Sequence, residues 1–526
     1  MILNIRDIGG AGLNSDIAPW DLPENALTYG RNFRISSGKI QSAGGSKIGF
    51  DADTAGKIGH VAYTEDYSGG RVWIACTTAG IEYYDGAVWK IAYALADSEP
   101  EKWSSCRIGQ VLFLNHPNHY PLFMENASAT NIQKLPWSPG NDSWENICKA
   151  KVLCSHKNFL FALGTTEVPD ARAAFSSYDD RVRWSHPVEP NGRPYTWSDS
   201  SNGDLSSLAG YVTLGRGGMI VGGESLRDSF VIYSDYAINV LDYTGDQLMW
   251  RRRTVSQSAG LVSKEAVVEV NGAHFFVSKD DILMFDGNQV QSMLHNRLRK
   301  SFQSIFDNER AESVFAVRND TQNEIYFCIP ERRDDLTEPG TPNIAFVFNY
   351  RDNNWAIREL DTERQYTHAC FGKAPDLPNP WSGAVTNWNT ERQTWQGIGK
   401  TPFGSFLLSS SDTKLYNIDT QSPDNEVVTK IERTGIPVGG HDLTTTITRV
   451  YPHIEGNYPV DIYVGSQQHA GDSVMWRGPV TFRPGVDRKV DMRVTGELHA
   501  IRMEASAEGN FNITGCDVEY SMAGKR

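Results

Sequence analysis

From about residue 57 onward one hydrophobic pattern recurs. A short apolar run is followed by a turn, then by a second run that ends in an aromatic, an Asp or Asn, a Gly and a further aromatic or aliphatic residue. The clearest copy is Val72 to Cys76 followed by Gly80 to Trp89, and its strongest counterpart is His274 to Val277 followed by Asp281 to Val290. Looser copies pair Val111 to Leu114 with Pro121 to Phe123, Phe159 to Ala162 with Arg181 to Trp184, and Phe230 to Tyr233 with Ile238 to Leu241. Two more pair Glu324 to Cys328 with Ala345 to Tyr350, ahead of Asn354 and Trp355, and Phe406 to Leu408 with Lys414 to Asn417. Short apolar runs bounded by turn residues predict strands rather than helices. A spacing of about 40 to 50 residues per unit is that of a four-stranded propeller blade, which buries its faces only against its neighbours. The Asp-Gly pairs have a structural task, because glycine accepts positive φ in a tight turn and aspartate accepts from nearby backbone amides.

Three stretches depart from the repeat. Gly9 to Asp16, with Pro19 and Pro23 after it, is too rich in turn residues for a helix and reads as an extended arm. Arg31 to Ile35, the turn Ser36 to Lys39, and Ile40 to Gly45 then read as a hairpin. Between Asn296 and Glu309, Leu298, Phe302, Ile305 and Phe306 fall at helical spacing, which predicts an amphipathic helix over 296–309 capped by Asn296 and packed across a connection between blades. After Gly439 and Gly440 the repeat fades. Thr444 to Arg449, Val460 to Val464, Val480 to Phe482, Lys489 to Val494, Ala500 to Met503 and Asn512 to Tyr520 alternate as the strands of a small β-sandwich. The expected architecture is all-β: an N-terminal arm and hairpin (1–56), a β-propeller with inserted loops (57–440) and a C-terminal β domain (441–526).

Composition agrees with this and narrows the function. The 526 residues include 47 glycines, 24 prolines, 14 tryptophans and 21 tyrosines, a turn-rich and aromatic make-up suited to pleated surfaces. Fifty basic against 64 acidic residues give a net charge of -14, and no basic tract forms a stripe that would neutralise phosphates. A DNA clamp is thereby disfavoured; a surface of this charge repels DNA. No apolar run approaches the roughly 18 residues of a membrane helix, and the start lacks a secretory pattern, so synthesis in the cytosol without membrane insertion is expected. Cys76, Cys106, Cys148, Cys154, Cys328, Cys370 and Cys516 are scattered, with no CxxC pair, and are expected as free and mostly buried thiols.

Enzymatic signatures are sparse. Gly-x-Ser-x-Gly, His-Glu-x-x-His and the phosphate-loop pattern are absent, and Gly9 to Gly12 lacks the strand and helix that a phosphate loop requires. His116 and His119 lie close in sequence without a neighbouring third ligand, and His60, His156, His186 and His453 are isolated, so no metal or cofactor is expected. Asp85 to Trp89 shares only a fragment of the sialidase aspartate box. Asp142, Asp179 with Asp180, and Arg332 to Asp335 read as solvated loop charges, whereas Arg251 to Arg253 could pair with an acidic neighbouring subunit. Trp381, Trp388 and Trp395 could stack on sugars, which keeps a glycan-binding or glycan-cleaving tail protein as the alternative.

Three stretches together resemble the tail nozzle, or hub, proteins of short-tailed bacteriophages, also described as packaged-DNA stabilisation proteins. They are Gly12 to Asp16 with Leu22, Pro23, Arg31 to Arg34 and the turn at Gly38 into Gly44 and Gly45; Phe159 to Ala162 leading to Arg181 to Ser185 and Trp197; and Ile513 to Tyr520 with the basic ending Gly524 to Arg526. The resemblance implies a structural virion protein without catalytic residues, assembled in the host cytoplasm. It implies a homohexameric ring beneath a dodecameric adaptor and portal, enclosing the ejection channel through which genomic DNA passes without sequence-specific binding. Tail fibres, spikes or a needle would attach outside. A cellular propeller scaffold is a third reading, and it offers no reason for the arm.

Overall fold

The computed structural model describes the chain apart from residues 51, 98, 139–142, 169–174, 190–191, 200–206, 216–217, 246–248, 333–339, 362–363, 374–404, 421–426, 441–442, 457, 507–510 and 526. Among the described residues, seven four-stranded antiparallel sheets follow one another as propeller blades. Blades 1 to 6 span 58–94, 104–134, 148–213, 220–256, 267–292 and 315–359. Blade 7 takes three strands from 366–420 and its outermost strand, Gly45–Ile48, from the N-terminal region, paired antiparallel with Leu415–Thr420. A late and an early segment therefore close the ring, as a closed sheet arrangement requires if no edge is to be left unpaired. Each of the seven sequence copies falls on the second and third strands of one blade. Among those strands Val111–Asn115, Glu324–Ile329 and Ile344–Asn349 are buried at every position, and so on both faces.

The Asp-Gly turns perform the task expected of them. Asp85 Oδ1 accepts from the amides of Ala87 and Val88, both at 2.9 Å, and Asp286 Oδ1 accepts from Asn288 and Gln289 at 2.8 and 2.9 Å. Gly86 and Gly287 sit at φ of 102° and 101°, where a side chain would be strained.

Two further sheets form a sandwich, and its composition corrects the expected boundaries. All six predicted C-terminal strands are present, but Val428–Ile436, assigned to the propeller by its position before residue 440, pairs with Leu498–Ser506 and belongs to the sandwich. Nor does 1–56 stand as a separate arm and hairpin. Ile2–Arg6 pairs with Phe511–Lys525, Tyr29–Arg31 pairs with Val428–Ile436, and the hairpin of Phe33–Ser36 and Lys39–Ser42 extends the same sheet as Phe511–Lys525. An isolated extended segment leaves its amides and carbonyls without partners; the sandwich edges supply them.

The helix is shorter than its apolar stripe. It runs Arg299–Ile305, with a separate 3-10 turn at Asn308–Ser313, and Asn296 lies at φ 56° rather than at the cap. The capping oxygens come from the arm: Asp16 Oδ2 and Oδ1 accept from the amides of Arg299 and Lys300, both at 3.0 Å. The stripe packs as expected between blades 5 and 6, with Leu298, Phe302 and Phe306 buried and Phe302 edge-on to Phe346 at 5.4 Å.

One hydrophobic core joins the arm, the sandwich and blades 4 to 7, while smaller clusters fill the spaces between blades 1 and 2, 2 and 3, 3 and 4, and 7 and 1. A charged staple crosses the contact between hairpin and propeller. The guanidinium of Arg34 reaches Glu324 at 2.8 Å and Asp419 at 2.7 Å, and Arg358 donates to the Tyr326 hydroxyl at 2.8 Å and to Asp419. Burial would push Asp419 up, but the two arginines outweigh it and hold the carboxyl well below its usual range. Among the described residues, no helix is long and apolar enough to cross a membrane.

Candidate functional site at the propeller axis

The first strand of each blade lies innermost; from blade 2 round to blade 1 these strands pack against one another, and the turn Pro100–Lys102 packs on the first strand of blade 1. Side chains on their axial faces are thus brought together from all parts of the chain. His60 on Ile58–Glu65 and His368 on Tyr366–Gly372 face each other across the seam where blade 7 meets blade 1, with ring centroids 4.2 Å apart. Glu265, in the turn before blade 5, reaches across to them: its carboxylate oxygens lie 4.0 Å from His60 Nδ1 and 3.6 Å from His368 Nε2. Ser105 Oγ is 2.9 Å from His60 Nε2, and the Val61 amide is 3.4 Å from His368 Nδ1.

Charge in this region is unusual. Burial alone would raise Glu265, yet His368, His60 and Lys264 outweigh it and hold the carboxyl at about 2. Burial pulls Lys264 down to about 8 against the opposing pull of Glu265. Its ammonium bridges the ring, donating to the carbonyls of Trp103 at 2.6 Å and Lys102 in the link between blades 1 and 2. Glu224, on the first strand of blade 4, is raised to about 7 by burial, against the opposing effect of the Ser225 amide at 3.1 Å. Burial pushes His60 well below its ordinary value, with His368 adding to the effect.

A second cluster gathers where sequence spacing showed only two histidines. Asp97 supplies the missing third group, with Oδ2 at 3.1 Å from His116 Nε2 and 3.9 Å from His119 Nε2. This cluster is closed by direct hydrogen bonds: Trp103 Nε1 donates to the same Asp97 oxygen at 3.0 Å, and His116 Nδ1 accepts from the Asn118 amide at 3.2 Å. It fixes the turn between blades 1 and 2.

Of the other histidines read as isolated, His156 contacts Ser225 Oγ at 2.6 Å, His186 accepts from the Leu208 amide at 3.1 Å, and His453 meets Asp517 at 3.0 Å. All seven cysteines are free. Burial pushes Cys370 and Cys516 up to about 12, the reverse of what a nucleophilic thiol needs. Within the arginine triplet, Arg252 donates to Leu214 O and Thr213 O, Arg253 donates to Asp242 at 2.9 Å, and Arg251 is exposed. Asp179 pairs with Lys151 at 2.8 Å and Asp180 accepts from the Gly215 amide. Asp142, the Arg333 to Asp335 part of its cluster, and Trp381, Trp388 and Trp395 lie outside the described residues. Sequence reasoning missed Glu265 and His368 altogether, because the repeat was legible on the second and third strands of each blade and these two residues lie in or just before a first strand.

No family model matches the chain, and no curated protein matches it. Among solved structures, YCF48 bound to D1 peptide is similar at 10% identity, with 75% of this chain and 97% of that one covered and a TM-score of 0.34. YCF48 from Cyanidioschyzon merolae is similar at 6% identity, covering 71% and 98% with a TM-score of 0.36. A chain of the mitotic checkpoint complex is similar at 9% identity, covering 68% and 94% with a TM-score of 0.36. The propeller itself is established by its own strand pairing.

Proposed function

We propose that this chain is a structural, non-catalytic virion protein: the subunit of a hexameric tail nozzle in a short-tailed phage, extending the ejection channel below the adaptor and portal and anchoring fibres or spikes. The reading rests on the resemblance in the arm, blade 3 and the final strand. The observation that supports it most is the sewing of the N-terminal region into both the sandwich and blade 7. A chain built this way is a rigid wedge whose loops can face neighbours while the core stays unchanged, which suits a conduit under genome pressure. An acid excess repeated around a ring favours passage of DNA without sticking.

Mixing the purified chain with its adaptor, followed by mass photometry and negative-stain microscopy, tests this. A stable sixfold ring with an acidic lumen is expected; a lasting monomer, or a lumen lined chiefly by lysine and arginine, overturns it.

Glycan binding is the second reading. A recess of about 630 Å³ beside blade 1 is lined by Trp73, Tyr83, Tyr84, Arg71 and Asp85, which is the right chemistry for sugars. Trp73 and Tyr84, however, pack edge-on against Phe50 at 5.9 and 4.7 Å, which favours core packing over an open platform. Millimolar or tighter retention on a host glycan array, or hydrolysis of host polysaccharide, would favour this second reading over the nozzle.

A further inference from the structure

We propose that His60, Glu265 and His368 form a binding site for a divalent transition metal ion of the zinc class, which clasps the propeller at its closure seam. The inference is independent of the nozzle reading, since it concerns only the inner ring.

The spacing carries it. The three donor atoms lie within 4.8 Å of one another, and the two nitrogen-to-oxygen distances of 3.6 and 4.0 Å are too long for hydrogen bonds. With metal arms of about 2.0–2.2 Å, the edges of a tetrahedron are about 3.3–3.6 Å, so a small inward movement brings the trio to a common ion. A carboxylate turned toward two imidazoles at distances too long for a hydrogen bond leaves a gap of the size a small ion fills. The Asp97, His116 and His119 cluster makes the contrast: both ring nitrogens of His116 and the Asp97 oxygen are already engaged, by the Glu99 carbonyl at 3.2 Å, the Asn118 amide at 3.2 Å and the Trp103 indole at 3.0 Å.

The surroundings fit as well. Two imidazoles and one carboxylate make a borderline-soft donor set that favours zinc over calcium or magnesium. Ser105 Oγ, at 2.9 Å from His60 Nε2, orients that ring so that Nδ1 is the free donor, the usual arrangement behind a metal-bound histidine. Binding through His368 Nε2 has a cost, because Nδ1 accepts from the Val61 amide at 3.4 Å and that long contact is given up when the ring proton moves to Nδ1. The Glu265 side chain retains 30% of its exposure, so an ion and a fourth, water ligand have access. The donors come from blade 1, blade 7 and the approach to blade 5, so one ion ties both sides of the seam to the opposite wall.

The full-length chain, stripped with a chelator and dialysed, is to be titrated with Zn²⁺ by calorimetry and loaded with Co²⁺ for visible absorption. One equivalent of Zn²⁺, a rise in melting temperature and intense Co²⁺ d–d bands are expected. Glu265→Gln and His368→Asn should each weaken binding by about 100-fold, while His119→Asn should bind as the unaltered chain does; circular dichroism verifies that each variant is folded. X-ray absorption at the zinc edge of the unaltered chain needs no variant and should report two imidazoles and oxygen donors. Absence of stoichiometric uptake, uptake that survives both axial substitutions, loss in His119→Asn instead, or a first shell of sulfur from the nearby cysteines would each overturn the site.

Discussion

Arg34 shows how much a single side chain of the arm controls. It is buried among Glu324, Tyr326 and Asp419, so its removal strips the buried Glu324 of its guanidinium and leaves Asp419 with Arg358. Arg34→Met is therefore expected to destabilise the fold by about 3–5 kcal/mol in urea unfolding, the usual cost of breaking a buried pair from one side. A loss under about 1 kcal/mol would mean that solvent reaches the network. His274 provides a pH test. Its Nδ1 meets the Tyr233 hydroxyl at 2.8 Å and its Nε2 the Ser225 carbonyl at 2.9 Å, and burial lowers its pKa to about 4. The unfolded chain takes up this proton near pH 6.5 and the folded chain only near pH 4. Stability from this group is thus complete above pH 6.5 and is lost as the pH falls toward 4. His274→Gln should show a smaller loss between pH 7 and 4.5, by about 1–3 kcal/mol in denaturant titrations at the two pH values. Neither role was visible at the residue level, because both depend on partners from other blades.

The closing strand and the helix cap make corresponding cases at the level of elements. Gly45–Ile48 is four residues long, yet it supplies the last strand of blade 7. A proline at Ser46 fixes φ within the strand and displaces a hydroxyl that accepts from Arg364 at 2.6 Å. Ser46→Pro should cost about 3 kcal/mol or more and raise hydrogen exchange selectively in Leu415–Thr420; unchanged exchange there would show that the strand does not close the ring. Asp16→Ala should cost about 0.5–2 kcal/mol and fray Arg299–Ile305, visible as faster exchange of the Arg299 and Lys300 amides. The helix was predicted with its own cap because periodicity reveals the buried stripe but not where the first turn begins. The cap comes from a residue nearly 300 positions away.

For the whole molecule, a core shared by the arm, the sandwich and blades 4 to 7 predicts cooperative melting. Calorimetry should show the sandwich and these blades unfolding in one transition, and deletion of 1–48 should abolish it rather than trim it. Two well-separated transitions would instead mark the sandwich as an independent unit. The repeated strands, the Asp-Gly turns and the six C-terminal strands were legible in the sequence because alternation and turn chemistry act over a few residues. Those same local rules explain why seven copies could be recognised before any blade was seen. What they leave open is association: whether Val428–Ile436 joins the propeller or the sandwich, where the arm docks, and that Glu265 stands between His60 and His368. Such meetings are set by ring closure and by burial against distant surfaces, which depend on the whole chain at once. The sequence by itself thus determined the strands, their turns and the lack of familiar catalytic signatures, while the tertiary structure alone decided the seam and the cluster that forms on it.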